Sequence, residues 1–264
     1  MTLLLTNDDG VFAPALVGTL EALSMESSVR TMFPSSQRSA SSMAMTLHKP
    51  LRVWTVERKH HALQVSNGTP VDCVLLAKNL YKDELVGVVS GVNDGPNLGL
   101  DIHYSGTVAA ARKAALLGLP GVAVSSGELL SLSNKIHSES TEIIVRSVAK
   151  LIRSHPIPTG VYLNINVPNL PVAELKGARL TRPGNRRYRD MMNIRTDPTG
   201  RDYFWVNGIE IFPDETDGSD SYAISQGFVS ITPLSVRVDH PNPDWDCSEW
   251  AEGIEASIIS LAHE

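Results

Sequence analysis

The chain alternates short apolar runs with segments whose apolar residues recur at helical spacing. Residues 1–6 contain three consecutive leucines and predict a buried strand, and residues 85–90 form a second apolar run beside a glycine. Residues 13–23 carry apolar side chains at helical spacing and predict a helix. The same patterns predict strands at 29–33, 51–56, 63–65, 121–124, 161–167 and 228–234. They predict helices at 71–78, 104–117, 141–154 and 245–263.

Strands that alternate with helices predict a fold of class α/β, with a mostly parallel sheet covered by helices on both faces. The pattern changes near residue 179, because residues 179–201 contain seven arginines. Within and after this stretch, two strand-like segments at 191–194 and 203–206 flank a turn. This arrangement predicts a β-hairpin arm.

Length and composition favour a soluble enzyme-sized domain. A chain of 264 residues, 42% hydrophobic and 20% charged, suits one large domain or a domain with an appendage. The net charge of −6 argues against general coating of nucleic acid. The two cysteines, Cys73 and Cys247, match neither a zinc site nor a disulfide framework. With no signal peptide and no apolar run long enough for a membrane span, we expect a cytoplasmic protein.

Three polar loops follow predicted strands, at residues 7–10, 35–42 and 91–99. The third loop leads into the helix that begins near Ser105. In an open parallel sheet, ligands bind beyond the carboxyl ends of the strands. The three loops are therefore expected to meet at one crevice.

Adjacent carboxylates in the first loop, Asp8 and Asp9, raise an electrostatic question. Neighbouring side chains of a strand point to opposite faces, so the two converge only if the chain turns, and Gly10 permits a turn. At a separation of about 4 Å their repulsion would cost on the order of 4 kcal/mol at an effective dielectric near 20. Either one carboxyl stays protonated, or a hard cation such as Mg²⁺ or Mn²⁺ lies between them. The alternative is a polar turn in which one aspartate caps the following helix.

The third loop carries the signals of an anion site. Asn93 and Asn97 lie in a glycine-rich segment that allows a ligand to approach the backbone. Residues 105–107, Ser-Gly-Thr, open a helix whose first amides and dipole favour a phosphate. The alternative is an N-cap with no ligand. In the serine loop, Arg38 could bind a phosphate or be a surface charge.

Taken together, these motifs resemble the SurE family, the stationary-phase survival proteins that act as metal-dependent nucleotidases. The first motif is LLLTNDDGVFAP at residues 3–14, and the longest is VVSGVNDGPNLGLDIHYSGTVAAA at 88–111. Shorter matches occur in the family's order along nearly the whole chain, before and after the longest motif. They are QRSASS (37–42), NGTPVDCV (67–74), LNINVP (163–168), TRPGNRRY (181–188), Asp217 and GFVSITPL (227–234).

The resemblance implies a three-layer α/β/α Rossmann-like core, at residues 1–180 with 228–264 returning to it, and a hairpin arm at 181–227 that forms homodimers or homotetramers. It implies one divalent metal ion per subunit, Mg²⁺ or Mn²⁺. The implied metal ligands are Asp8, Asp9, Ser39 and Asn93, of which Asp8 and Asp9 are also the catalytic candidates. The implied phosphate-binding residues are Asn97, Ser105, Gly106 and Thr107.

The implied activity is hydrolysis of nucleoside 5′- and 3′-monophosphates. Two alternatives stay open: a nucleotide- or metal-binding regulator with little turnover, and a phosphatase that prefers short polyphosphate. Some positions depart from the family pattern, including Ala15 for glycine and Ser35 for aspartate. Arg112 and Lys113 also place positive charge where the family has acidic character. No departure removes a proposed ligand.

Overall fold

The computed structural model of the protein describes residues 1–127, 137–185, 187–212 and 216–237. The helix predicted at 245–263 lies outside these residues. The strands are β1 Thr2–Thr6, β2 Ser28–Thr31, β3 Phe33–Pro34, β4 Val53–Arg58, β5 His61–Ser66, β6 Leu85–Asp94, β7 Gly121–Gly127, β8 Val161–Pro168, β9 Ala178–Leu180, β10 Arg187–Thr196, β11 Asp202–Phe212 and β12 Val229–Ser235. The α-helices are α1 Leu16–Ser24, α2 Pro70–Tyr81, α3 Gly106–Leu116, α4 Ser138–Ser154 and α5 Asp220–Ser225.

A seven-stranded sheet forms the centre of the fold, in the order β2-β1-β6-β7-β8-β12-β9. The first five of these strands pair in parallel, and β12 runs antiparallel to β8. The chain reverses its direction of travel across the sheet between β1 and β6. Such a topological switch point opens a crevice at the carboxyl ends of the two strands, which is where open α/β sheets bind ligands.

Helices cover both faces of this sheet, as predicted. The fully buried Leu3 and Leu5 of β1 belong to the apolar cluster that includes side chains of α1 and α4. Leu4, between them, points to the opposite face, into the cluster with α2 and α3. The α/β/α layering is therefore confirmed. Among the described residues, none of the helices is long and apolar enough to cross a membrane.

Several element boundaries differ from the predictions because tertiary pairing sets them. The strand predicted at 29–33 is two strands, since β2 pairs with β1 whereas β3 pairs with β5 in a separate three-stranded sheet. The loop predicted at 91–99 begins later, because β6 continues to Asp94 through a register shift and pairs again with β7. A 3-10 turn at Gly99–His103 precedes α3, which begins at Gly106 rather than at 104. The short β9 and α5 were not predicted.

The predicted hairpin is present and longer than expected. Strands β10 and β11 pair antiparallel, and their pairing ends at Thr196 and Asp202 beside the turn. The carboxylate of Asp197 accepts a hydrogen bond from the Thr199 backbone N–H at 2.8 Å, which closes the turn. The assignment of residues 181–227 as a separate arm stays a prediction.

We predict that Asp220→Ala lowers the free energy of unfolding by about 2–4 kcal/mol, because two buried amides lose a charged acceptor. Asp220 is 0% exposed, and its carboxylate accepts from the Gly99 and Gly184 backbone N–H groups at 2.9 Å each. Urea denaturation followed by circular dichroism measures the change. Asp217→Ala is the matched control, since that side chain is 85% exposed. Equal stability of the two variants would contradict the assigned role of Asp220.

Candidate metal and phosphate site

A side-chain hydrogen-bonded turn directly follows β1. The Asn7 side chain donates to the Gly10 carbonyl and accepts from the Gly10 N–H, at 3.0 Å each. Gly10 has φ +85°, and a Cβ there would lie 3.0 Å from the Ser36 backbone carbon. Glycine is therefore required at this position, as expected for a sharp turn. Asn7 was not assigned a role from the sequence, although a side-chain amide beside a glycine is a known turn signal.

The turn brings Asp8 to the start of α3. The Thr107 hydroxyl donates to Asp8 Oδ1 at 2.5 Å and lies 3.4 Å from Asn93 Oδ1 at the end of β6. Asp8 is 4% exposed. A Cβ on Gly106 would lie 2.8 Å from the Asp8 Cβ, so only glycine lets the helix approach this closely. The structure therefore brings together Asp8, Asn93, Gly106 and Thr107.

Asp9 lies beside a further acidic residue. Its Oδ2 accepts from the Asp94 backbone N–H at 3.3 Å. Burial raises the pKa of Asp9, and the negative charges of Asp8 and Asp94 raise it further. Burial also raises the pKa of Asp8, although the Thr107 hydroxyl and nearby backbone amides lower it in part. Both carboxylates are thus disfavoured as unpaired anions, which is the electrostatic situation that a cation relieves.

The available donor atoms suit a hard divalent cation. Carboxylate oxygens of Asp8 and Asp9 and the amide oxygen of Asn93 are the ligand types preferred by Mg²⁺ and Mn²⁺. Among the described residues, no group of three His, Cys, Asp or Glu side chains could hold a metal. An ion here would therefore need amide, hydroxyl or water oxygens besides the two carboxylates. The residues present fit such an ion.

The serine loop packs against this turn through its backbone. The Arg38 N–H donates to the Asp8 carbonyl at 2.7 Å, which fixes the loop next to the carboxylates. Ser39 itself is exposed, and its hydroxyl accepts from the Gln37 side chain at 3.0 Å within the same loop. The structure therefore places the Ser39 loop at the site, while its role as a metal ligand stays a prediction.

Ser41 is a further hydroxyl at the site that sequence reasoning did not single out. Its Oγ is buried and has no hydrogen-bond partner among the described residues. It would lie 2.9 Å from a Cβ on Gly106, so it faces the start of α3. Its presence in the motif at residues 37–42 was the only sequence signal.

Asn97 is connected to the neighbouring strands. Its side-chain amide donates to the Ser125 hydroxyl of β7 at 2.8 Å, and its backbone N–H donates to Asn166 Oδ1 of β8 at 2.8 Å. The Asn164 amide donates to the Asn97 carbonyl at 2.7 Å. Asn164 and Asn166 belong to the motif at 163–168, to which the sequence assigned no role. They hold the third loop in place.

The start of α3 is capped from its own sequence. Ser105 is the N-cap, and its hydroxyl accepts from the Val108 N–H at 3.1 Å. This is the capping contact that the alternative interpretation expected, and the Thr107 hydroxyl is occupied by Asp8. Cation-binding oxygens and the positive end of a helix dipole nevertheless lie side by side here, an arrangement suited to a metal and a phosphoryl group. Phosphate binding by residues 105–107 and Asn97 stays a prediction.

The chain is similar to known proteins of one family. The family model described as "Survival protein SurE" matches residues 3–190. The chain is 35% identical to the 5′-nucleotidase SurE of Carboxydothermus hydrogenoformans, over 98% of this chain and 100% of that protein. It is 39% identical to the 5′/3′-nucleotidase SurE of Escherichia coli, over 96% and 98%.

The fold is similar as well. The crystal structure of the SurE protein from Aquifex aeolicus superposes with a TM-score of 0.77 at 34% identity, covering 91% of this chain and 95% of that one. The resemblance inferred from the motifs is thus confirmed over almost the full length. The chain belongs to the SurE family.

Proposed function

We propose that the protein is a phosphoric monoester hydrolase that cleaves nucleoside 5′- and 3′-monophosphates to nucleoside and phosphate. The observation that carries this is the convergence of Asp8, Asn93 and Thr107 at the switch point between β1 and β6. Relatives that span the chain at 35–39% identity are named nucleotidases. A carboxylate pair beside a helix start suits phosphoryl transfer. The carboxylates can hold a cation, and the amides of the helix start can stabilise the negative charge that develops on the phosphoryl oxygens.

One divalent ion, Mg²⁺ or Mn²⁺, would be held by Asp8, Asp9, Asn93 and the nearby Ser39. Burial raises the pKa of both carboxylates, and the charges of Asp8 and Asp94 raise that of Asp9 further, which supports a cation at the same place. When bound, the ion supplies Lewis-acid polarisation of the phosphoryl group. The oxygen donor set does not select between the two metals.

The protein's own side chains and amides are proposed to orient the reactants, accept the proton and bind the phosphoryl oxygens. Thr107 holds the Asp8 carboxylate in one orientation, from which Asp8 can position an attacking water and accept its proton. Direct attack by Asp8 on phosphorus, which would give an aspartyl-phosphate, is the mechanistic alternative. Asn97 and the amides of residues 105–107 are proposed to bind the phosphoryl oxygens, where charge develops.

A phosphate-release assay separates this function from its two alternatives. Purified protein is given Mg²⁺ or Mn²⁺ with a panel of nucleoside monophosphates and short polyphosphates. We expect release from the nucleotides. Tight nucleotide binding without release would favour a regulator, and faster release from polyphosphate would favour a phosphatase that prefers short polyphosphate.

A cytoplasmic location of the protein stays a prediction.

We predict that Asp8→Asn or Asp9→Asn lowers kcat/KM at least about 100-fold and weakens metal binding, because a charged ligand is lost. Phosphate release and calorimetric titration of Mn²⁺ measure the two effects. Asp202→Asn, in the exposed hairpin, is the control and should behave as wild type. Wild-type turnover by metal-stripped Asp8→Asn protein would contradict the mechanism.

We predict that Gly106→Ala lowers kcat at least about tenfold in the phosphate-release assay, because the new methyl group displaces Asp8. Gly18→Ala is the matched control. There the added carbon meets only the flexible end of Glu142, at 2.7 Å, which can move aside. If both variants keep full activity, the close approach of α3 to Asp8 has no catalytic role.

We further propose that the hairpin joins copies of the chain into a homodimer or homotetramer. Met192, Ile194 and Phe204 lie on one face of it, where Ile194 and Phe204 are directly opposite each other. These side chains are 60%, 62% and 56% exposed. Contiguous exposed apolar side chains of this kind are typical of an interface. The second copy supplies the same apolar face, as a symmetric contact requires.

We predict that Phe204→Asp shifts the protein to a smaller assembly, because a charge would be buried in the interface. Size-exclusion chromatography with light scattering measures the mass. Asn193→Asp is the control, since residue 193 lies on the opposite face of the hairpin. An unchanged mass for Phe204→Asp, with circular dichroism showing a folded protein, would remove the hairpin from the interface.

A further inference from the structure

A cavity of about 320 Å³ borders helix α3. Val108 and Arg112 of α3, Tyr162 of β8 and Leu234 of β12 line it, together with His103 and Arg237. Its volume is within the range of sites that hold small organic ligands. Neither the comparisons nor the proposed catalytic site assigns it a ligand.

The cavity lies on a different side of α3 from the carboxylate pair. Successive residues of an α-helix are about 100° apart, so Arg112, five residues after Thr107, is rotated from it by about 140°. Thr107 faces Asp8, whereas Val108 and Arg112, four residues apart, face the cavity. The helix therefore borders both sites, and Ser42 of the serine loop also lines the cavity.

The described lining of the cavity carries the positive charge of Arg112, although the chain carries a net charge of −6. Arg112 and Arg237 both line it, and the described residues that line it include no Asp or Glu. Arg112 Nε is buried and has no hydrogen-bond acceptor among the described residues. A buried charged donor without an acceptor is costly, and an oxyanion in contact with the same guanidinium would offset that cost.

The remaining walls indicate what else the ligand carries. Val108 and Leu234 are apolar, and Tyr162 is 5% exposed with its hydroxyl-bearing ring against the same space. Burial raises the pKa of Tyr162, which Arg112 opposes only in part, so the phenol stays a neutral donor at pH 7. The Arg112 guanidinium at one part of the cavity and apolar side chains at another favour an organic anion over a free inorganic one.

We propose that this cavity is a second binding site, for a small organic phosphate whose phosphoryl group contacts Arg112 and whose organic part packs on Val108 and Leu234. Guanidinium groups bind phosphate through paired hydrogen bonds, which a lysine does not reproduce.

Titration of metal-stripped, full-length protein with phenylphosphonate tests the proposal. Without the ion, the catalytic centre lacks the cation that is proposed to hold a phosphoryl group there, so binding reports on the cavity. We expect one saturable site per chain by calorimetry. Arg112→Gln should weaken binding at least about tenfold, and Arg112→Lys should give an intermediate loss.

Lys113→Gln is the matched control, since it removes the same charge from the next residue of α3, which does not line the cavity. It should bind phenylphosphonate as the wild type does. All three variants should keep the basal rate of nucleotide hydrolysis in Mn²⁺, because neither residue belongs to the catalytic centre. The hydrolysis rate also tests the proposed function independently of the second site.

Four results would overturn the proposal. One is no saturable binding to the wild type. Another is an equal loss in Arg112→Gln and Lys113→Gln, which would indicate only general charge attraction. The third is benzoate binding as tightly as phenylphosphonate, which would exclude a phosphate-selective site. An Arg112→Gln protein that unfolds at the wild-type temperature and still binds normally would also count against it.

Discussion

Two adjacent carboxylates, Asp8 and Asp9, are held in partly buried positions at the end of β1, where their charges oppose one another. Burial raises the pKa of each, and the proximity of Asp8 and Asp94 raises that of Asp9 further. The surrounding structure is arranged around this electrostatic cost. The Asn7–Gly10 turn fixes the position of the pair, the Thr107 hydroxyl holds one oxygen of Asp8, and the Asp94 amide holds one of Asp9. A divalent cation between them would complete the compensation.

Helix α3 connects this constraint to the rest of the fold. Its first turn contacts Asp8 through Gly106 and Thr107, and its small alanines pack against the sheet and α2. Its other side, at Val108 and Arg112, borders the cavity. A ligand bound on either side of α3 would therefore contact the helix that also borders the other site.

Much of the fold followed from periodicity. Most of the described strands and helices of the core were predicted within a few residues, because buried strands and amphipathic helices have distinct apolar patterns. The hairpin was predicted at the right place but shorter than it is. The misassigned boundaries were those set by partners distant in sequence. The separation of β2 from β3 depends on β5, and the extension of β6 to Asp94 depends on β7. A single segment contains no information about such a partner, and the same holds for the short β9 and α5.

For the site, the sequence by itself determined the residue types: two carboxylates after a buried strand, an asparagine-rich loop, and a helix opened by Ser105, Gly106 and Thr107. Its motifs also identified the family. Only the tertiary structure decided which of these groups meet. It placed the Thr107 hydroxyl on Asp8 and bound Asn97 to β7 and β8. It also brought the unassigned Ser41 to the start of α3 and placed Arg112 in the wall of a cavity. The reason is physical: a hydrogen bond or a desolvated charge depends on distances between segments far apart in the chain, and those distances exist only once the sheet order has brought the strand ends together.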